Sequence, residues 1–291
     1  MKLQLAPGKE QVALSTSPYD RWLSPDGVCQ AEFHRHDGGF VIRFPRQADF
    51  VLTHPGEGEA FAITAQPTPE ASAEQIETLF HNAIQPLLGN HNGGLYLHGS
   101  AVQLQAEAGP AAIAFLGLSR SGKTTLAGAF AKSGHPFLTE DVIDLRLESA
   151  AYLLKPKRSQ LRLFQDSAEH LFAENLQGGK TPGSDHVGKQ GYGAGDTLLF
   201  SPNAAPLRRI FLLGNDHTAP LSLRRLSPHE ALTALMPHSF ILDVEDKPRL
   251  RGHFTRIGDL AEAVECYALD YPRDYQELPR VISAILTNAT S

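Results

Sequence analysis

Apolar positions along this chain follow two different periods, and the places where the period changes mark out its organisation. Up to about Gly89 they fall in short extended segments, residues 39–44, 49–53 and 60–64, each bounded by Gly or Pro, as in a small meander. A helical spacing then takes over. Ser72 is a good N-cap, Ile76, Leu79, Phe80, Ala83, Ile84 and Leu87 follow on one face, and Pro86 and Gly89 are expected to close the helix. The turn-rich run 89–94 is the candidate boundary between a small N-terminal α+β domain, residues 1–90, and a larger unit, residues 91–291. Acceptor binding is the candidate role of the first.

The second unit reads differently. Residues 95–98 and 101–104 suggest one or two strands around the small pair Gly99-Ser100, and residues 111–116 are apolar throughout, as in a strand covered on both faces. A helix is predicted over 122–133, ended by Gly134-His135-Pro136, and a strand over 137–139 leads into Glu140-Asp141 and a further apolar stretch. Strand, loop, helix, strand is the order of an α/β unit with an at least partly parallel sheet. Later come a strand at 160–164, a helix over 166–175, a strand at 209–213, and helices that start at Ser227-Pro228 and flank 258–263 and 278–286. The Gly-rich stretch 177–196 is too poor in apolar residues to carry its own core and is expected to be a flexible loop, a candidate lid.

One segment carries specific chemistry. Gly117-Leu118-Ser119-Arg120-Ser121-Gly122-Lys123-Thr124 fits G-x-x-x-x-G-K-[ST] and lies after a buried strand, opening a helix. Such a loop turns its amides and the positive helix end toward phosphate, with Lys123 across the β- and γ-phosphates and the Thr124 hydroxyl on Mg²⁺. Gly117, Ser119, Arg120, Ser121, Gly122, Lys123, Thr124 and Thr125 are thus the expected nucleotide-binding residues. Glu140 and Asp141 close the next strand, where ligands bind in open α/β sheets, and two adjacent acids there divide labour between holding Mg²⁺ and accepting a proton from an attacking hydroxyl.

Composition narrows the partners. Lys+Arg 26 against Asp+Glu 32 gives a net charge of -6, which disfavours nucleic acid and acidic membrane surfaces as partners. Cys29 and Cys266 cannot make a disulfide scaffold or a four-cysteine zinc site. The first residues lack the apolar run of a signal peptide, so a cytoplasmic protein is expected, with homo-oligomerisation open. The basic run Lys155-Pro156-Lys157-Arg158, with Arg162 beyond it, is either a solvated edge or a clamp on phosphate. His34 and His36 share a strand face without a third ligand and are expected at the surface.

Taken together, Leu97-His98-Gly99-Ser100-Ala101-Val102, the loop through Leu126, and residues 134–142 resemble the catalytic core of HPr kinase/phosphorylase. The shorter HPr-kinase-related proteins of bacterial peptide-modification clusters, including the kinases of lasso-peptide precursors, are especially similar. The similar stretch runs from about Leu95 to Leu145, with a weaker echo at 161–167. The resemblance implies an α/β P-loop kinase core related to PEP carboxykinase, which uses ATP and Mg²⁺ to phosphorylate a serine hydroxyl of a peptide or small protein. It also implies catalytic roles for His98, Lys123, Glu140 and Asp141, with His98 against the catalytic acid. Thr124 and Asp141 are then the expected metal pair, with Glu140 as the longer partner acid. This chain departs from the family in two places: Arg120 stands where the loop usually has Gly, and the downstream Arg-Gly segment is not recognisable. A kinase of a small hydroxyl compound such as free serine, and a non-catalytic nucleotide-binding regulator, are the alternatives.

Overall fold

The computed structural model describes residues 2–24, 26–36, 38–54, 60–107, 109–172, 188–195 and 198–289. It divides into two compact units, one of residues 1–88 with 242–245 and the other of 89–241 with 246–291. Most of the Gly-rich stretch 177–196 lies outside the described residues.

The first unit is a six-stranded sheet. Its strands are β1 (Leu3–Leu5), β2 (Asp20–Leu23), β3 (Cys29–His36), β4 (Gly39–Phe44), β5 (Ala48–Thr53) and β6 (Ala62–Pro67). β2 to β6 form an antiparallel meander, and β1 adds to β6 in parallel. Alternation along β5 sends Ala48, Phe50 and Leu52 inward, where Phe33, Ile42 and Ile63 are also buried. His34, expected at the surface, is buried instead, although alternation puts it on the face opposite Phe33: the segment at Thr16 lies against it, and its Nδ1 lies 2.8 Å from the Thr16 carbonyl. The following helix also departs from expectation. α1 (Ala73–Leu79) begins with a capping box of Ser72 and Gln75, passes through a π-helical turn (Phe80–Ile84), and continues as α2 (Gln85–His91) through Pro86 and Gly89. Proline supplies no N–H to the ladder, and the wide turn just before it, where the Gln85 N–H reaches the Phe80 carbonyl, absorbs the misfit.

The second unit is mixed α/β. Its sheet has the order β11-β10-β7-β8-β14-β16-β15, where β7 is Leu95–Ala106, β8 Gly109–Leu116, β10 Val142–Glu148, β11 Ala151–Lys155, β14 Ala205–Leu213, β15 Ser222–Arg225 and β16 Glu265–Asp270. β8, β14 and β16 run parallel, so their C-terminal ends share one edge. β7 is a single strand of 12 residues, not two, and runs antiparallel to β8.

The uniformly apolar β8 is explained by cover on both faces. Ile113 and Phe115 pack with α3 (Lys123–Lys132), α4 (Gln165–Phe172) and α7 (Leu278–Ala289), whereas Ala112, Ala114 and Leu116 pack with α5 (Pro228–Leu235) and α6 (Lys247–Ala263). α3 is enclosed along most of its length, from Leu126 to Ala131.

β9 (Phe137–Thr139) and β10 both pair with β7, the first beside Ala101-Val102 and the second beside residues 95–98. Glu140 and Asp141 form the break between them, and the Thr139 hydroxyl closes that break by donating to the Val142 carbonyl at 2.7 Å. The acids thus stand partway along β7, not at the end of an isolated strand. Opposite them is Gly99, which donates its N–H to the Asp141 carbonyl on one side and pairs with Leu116, the last residue of β8, on the other. A Cβ on Gly99 would lie 2.7 Å from both the Phe115 carbonyl oxygen and Ile143 Cδ1.

Because the Phe115 oxygen belongs to backbone locked in the sheet, Gly99→Ala is expected to destabilise the second unit by on the order of 1–3 kcal/mol. The measurement is thermal unfolding followed by circular dichroism, and an unchanged midpoint would show that β7 and β8 are free to separate there.

Candidate active site

The loop between β8 and α3 folds as its sequence demands. Gly122 takes a φ of 95°, a left-handed conformation that glycine adopts without strain, and α3 starts there with no side-chain cap. The first-turn amides of α3 are therefore available to an anion. Arg120 also takes a left-handed φ, 65°, which costs a non-glycine residue about 1 kcal/mol. Its side chain is exposed, and it lines the cleft over the loop together with Lys123, Thr124, Arg162, Phe164 and Lys189.

Behind the loop, Arg273 follows β16 and fastens it to the sheet edge, donating to the carbonyls of Ser121 at 2.9 Å and Gly214 at 2.6 Å. Its guanidinium stacks 3.8 Å from the Tyr271 ring centre. Tyr275 continues the support: its hydroxyl meets Ser167 Oγ at 3.0 Å, and that oxygen meets Thr125 Oγ1 at 3.1 Å.

Lys123 is buried and bent back on the loop, donating to the carbonyls of Gly117 at 2.9 Å and Leu118 at 2.8 Å. Burial lowers its pKa to about 8, with the Asp141 charge opposing the fall and Lys189 adding to it. Thr124, on the adjacent position of α3, places Oγ1 3.3 Å from Glu140 Oε1. The acid at the Thr124 hydroxyl is therefore Glu140, where Thr124 and Asp141 were the expected metal pair. The two acids lie in the bend between β9 and β10, and one guanidinium, that of Arg162, reaches both, while the contact to the Thr124 hydroxyl is made by Glu140.

Asp141 turns toward His98. Position 98 shares its face of β7 with Val102 and Leu104, which pack on the α3 side, and the imidazole is within electrostatic reach of Asp141 and Lys123. Burial depresses His98 to about 4, helped by the Lys123 charge and opposed by Asp141, so the ring is neutral at pH 7. Burial likewise holds His238 at about 4, again with Lys123 contributing. His238 ends the short 3-10 turn Met236–His238, just before the bridge of Ser239 to Leu97, and the Phe240 ring packs edge-on to His98 at 6.3 Å.

Two cations hold the acid pair. Arg162 donates Nε to Glu140 Oε2 at 3.1 Å and its terminal nitrogen to Asp141, and Lys189 reaches Glu140 Oε1 at 3.1 Å. The two-stranded ribbon of β12 (Gln160–Leu163) and β13 (Gln190–Gly193) brings these cations together. Leu161 and Leu163 face the core, Arg162 points the other way to the acids, and the pairing of Leu163 with Gln190 sets Lys189 beside Phe164.

The two acids are shifted in opposite directions. Burial and the Asp141 charge raise Glu140, against Lys189 and Arg162. Burial also pushes Asp141 upward, but Arg162, Lys189, His98 and Lys123 outweigh it and hold the carboxyl well below its usual range.

The residues expected from the sequence therefore converge: Thr124 contacts Glu140, and His98, Lys123 and Asp141 lie within electrostatic reach of one another. Lys189, His238 and Arg273 are additions. Arg273 was foreseeable as a cation just past a parallel strand on the ligand-binding edge, and Lys189 as a lysine within a Gly-rich segment; His238 has no sequence signature. Of the basic run, Arg162 joins the site, whereas Lys155 pairs with Glu148 and Lys157 with Asp144. Among the described residues no helix is long and apolar enough to cross a membrane.

No protein-family model matches the sequence, and no curated protein matches it. Among solved structures, the Hpr(Ser) kinase/phosphatase from Coxiella burnetii aligns over 67% of this chain and 89% of that one, at 14% identity and a TM-score of 0.35. A likeness of that size is too slight to carry fold or activity across.

His98, His238 and His253, the last buried on α6, are all held at about 4 against an ordinary value of 6.5. At these groups the unfolded chain therefore binds more protons than the folded one between these values, so the histidines' contribution to stability is full above about pH 6.5 and is lost as the pH falls toward 4. Glu140, whose pKa is raised, acts in the opposite sense but is a single group against three histidines. Melting curves should show a midpoint drop on the order of 5 °C or more from pH 7 to pH 4.5. A flat profile would mean that these rings are not kept neutral.

Proposed function

We propose that the protein is a phosphotransferase that uses ATP and Mg²⁺ to phosphorylate a hydroxyl, with a serine of a peptide or small protein as the acceptor. The observation that carries this reading is the meeting of two devices: an anion-ready loop ending in Lys123 and Thr124, and beside it an acid pair whose members are shifted in opposite directions. The peptide acceptor rests on the sequence resemblance alone.

The residues fit a divalent cation. Thr124 and Glu140 offer hard oxygens that already share a positive group, the Lys189 ammonium. Thr124 and Glu140 would hold Mg²⁺, which when bound draws negative charge from the phosphate oxygens. The first-turn amides of α3 bind and orient the phosphates, and Lys123 leaves its loop carbonyls to donate to them.

Asp141 serves the acceptor. The hydroxyl oxygen bonds to the γ-phosphorus as the bond from that phosphorus to the β–γ bridging oxygen breaks, leaving its electron pair on ADP. The hydroxyl proton passes to the Asp141 carboxylate, which its cationic neighbours keep ionised, and neutral His98 accepts a hydrogen bond on that side.

The test separates binding from transfer. With a fluorescent ATP analogue for affinity and labelled ATP with a pool of seryl peptides for transfer, Asp141→Asn should keep affinity and lose on the order of 10²-fold in transfer. Glu140→Gln should weaken the Mg²⁺-dependent part of nucleotide affinity. If Asp141→Asn transfers normally while Glu140→Gln binds normally and is inactive, the roles are reversed.

Lys123→Ala addresses the loop itself. It should cut transfer by on the order of 10²-fold or more while the far-ultraviolet spectrum is kept, since its two loop hydrogen bonds are local. Near-normal transfer by the folded variant would remove the loop from the mechanism. Transfer to free serine but to no peptide would point to a small-molecule kinase, and tight nucleotide binding without any transfer to a regulator.

A further inference from the structure

The Lys189 ammonium lies 3.2 Å from Thr124 Oγ1 and 3.1 Å from Glu140 Oε1, and those two oxygens are themselves 3.3 Å apart. A threonine hydroxyl that follows a phosphate-loop lysine, set beside a carboxylate, is a donor set suited to a small hard cation. In this structure a side chain supplies that positive charge. The carboxylate is 7% exposed and the lysine side chain 18%, so the contact is sheltered from solvent. An ammonium and a divalent ion cannot share the position, because both need the same oxygen lone pairs and their charges repel at that distance.

Lys189 also has somewhere to go. It follows Gly188, which takes a left-handed φ of 80°, and directly precedes the short strand β13. Its ammonium lies 5.7 Å from the centre of the Phe164 ring, and Phe164, Arg120, Arg162 and Lys123 line the same cleft over the loop amides. Phosphate oxygens bound in that cleft would offer the lysine a replacement for the carboxylate.

We infer that Lys189 holds the divalent-cation position of the ligand-free protein, so that the metal enters only together with the nucleotide, whose phosphates draw the lysine away. Metal and nucleotide then bind as one unit, and the protein alone takes up metal poorly. The inference rests on the nucleotide-binding reading above and adds an order of events to it.

Mn²⁺ replaces Mg²⁺ as the probe, and free Mn²⁺ is counted by its paramagnetic resonance signal while full-length, nucleotide-free protein is titrated. Lys189→Met should bind Mn²⁺ at least roughly tenfold more tightly than the unsubstituted protein, because a like charge next to the ligands has gone. Lys189→Arg, which keeps the charge, should stay weak. The double variant Lys189→Met with Glu140→Gln should lose the gain, which ties it to this position. Lys189→Gln carries the same expectation should the methionine variant prove unfolded by its melting curve.

Equal Mn²⁺ affinity of the folded neutral variants and the unsubstituted protein would overturn the inference, as would tight Mn²⁺ binding by the unsubstituted protein without nucleotide. A separate arm checks the underlying reading: the non-hydrolysable analogue AMP-PNP, added with Mn²⁺, should bind the unsubstituted protein and retain the metal. Failure of that arm alone would remove nucleotide binding, whatever the variants show.

Discussion

Two carboxylates on neighbouring residues, both sunk into protein, form an arrangement that folding disfavours unless positive charge is brought to them, and much of the second unit is organised around that requirement. Glu140 and Asp141 repel each other and lose water at the same time. Arg162 bridges both, and Lys189 adds a second cation at Glu140. Both come from a two-stranded ribbon outside the main sheet, so the ribbon is anchored by leucines below and by ion pairs above. Losing either cation would leave buried charge unbalanced, and such losses are costly in proportion to their burial.

The other organising element is β7. Its length lets it pair with β8 on one side and with β9 and β10 on the other, so it sets the height of the loop against the height of the acids. Gly99 lies at the level where β8 ends and Asp141 begins, and its missing side chain lets three backbones approach there. Period-2 alternation then places His98 on the α3 side without any special contact. A motif of loop, acids and histidine scattered over residues 98 to 141 thereby becomes one cleft.

What the sequence makes legible follows from how local each signal is. The phosphate loop, the covered strand before it and the helix starts at Ser72 and Ser227 depend on near neighbours, and they read directly. The continuation of the second helix through Pro86 does not, because a π-helical turn is a compensation with no composition of its own. The assignment of Glu140 to Thr124 could not be read either, because which acid reaches α3 depends on where β9 breaks. His34 was misleading for a related reason: it shares its face with the exposed His36, and what buries it is the segment at Thr16, 18 positions away. Lys189 and His238 lie 49 and 98 positions from Glu140, measured from 140 to 189 and from 140 to 238, and only the ribbon and the 3-10 turn bring them back.

The cations of the cleft differ in what holds them, and that difference sets the order in which they become available. Lys123 is held by two neutral carbonyls, which the incoming oxygens of a phosphate replace with stronger, charge-assisted partners. Arg162 is held by two carboxylates, already charge-assisted partners, so it stays as the counter-charge of the pair. Lys189 lies between these cases: it donates to a Glu140 carboxylate oxygen and to the Thr124 hydroxyl, at a strand start that follows a glycine. An anion entering the cleft therefore recruits Lys123 first, competes with Glu140 for Lys189, and leaves Arg162 in place. Asp141 remains paired and ionised throughout, which is the condition a proton acceptor needs when the γ-phosphate arrives.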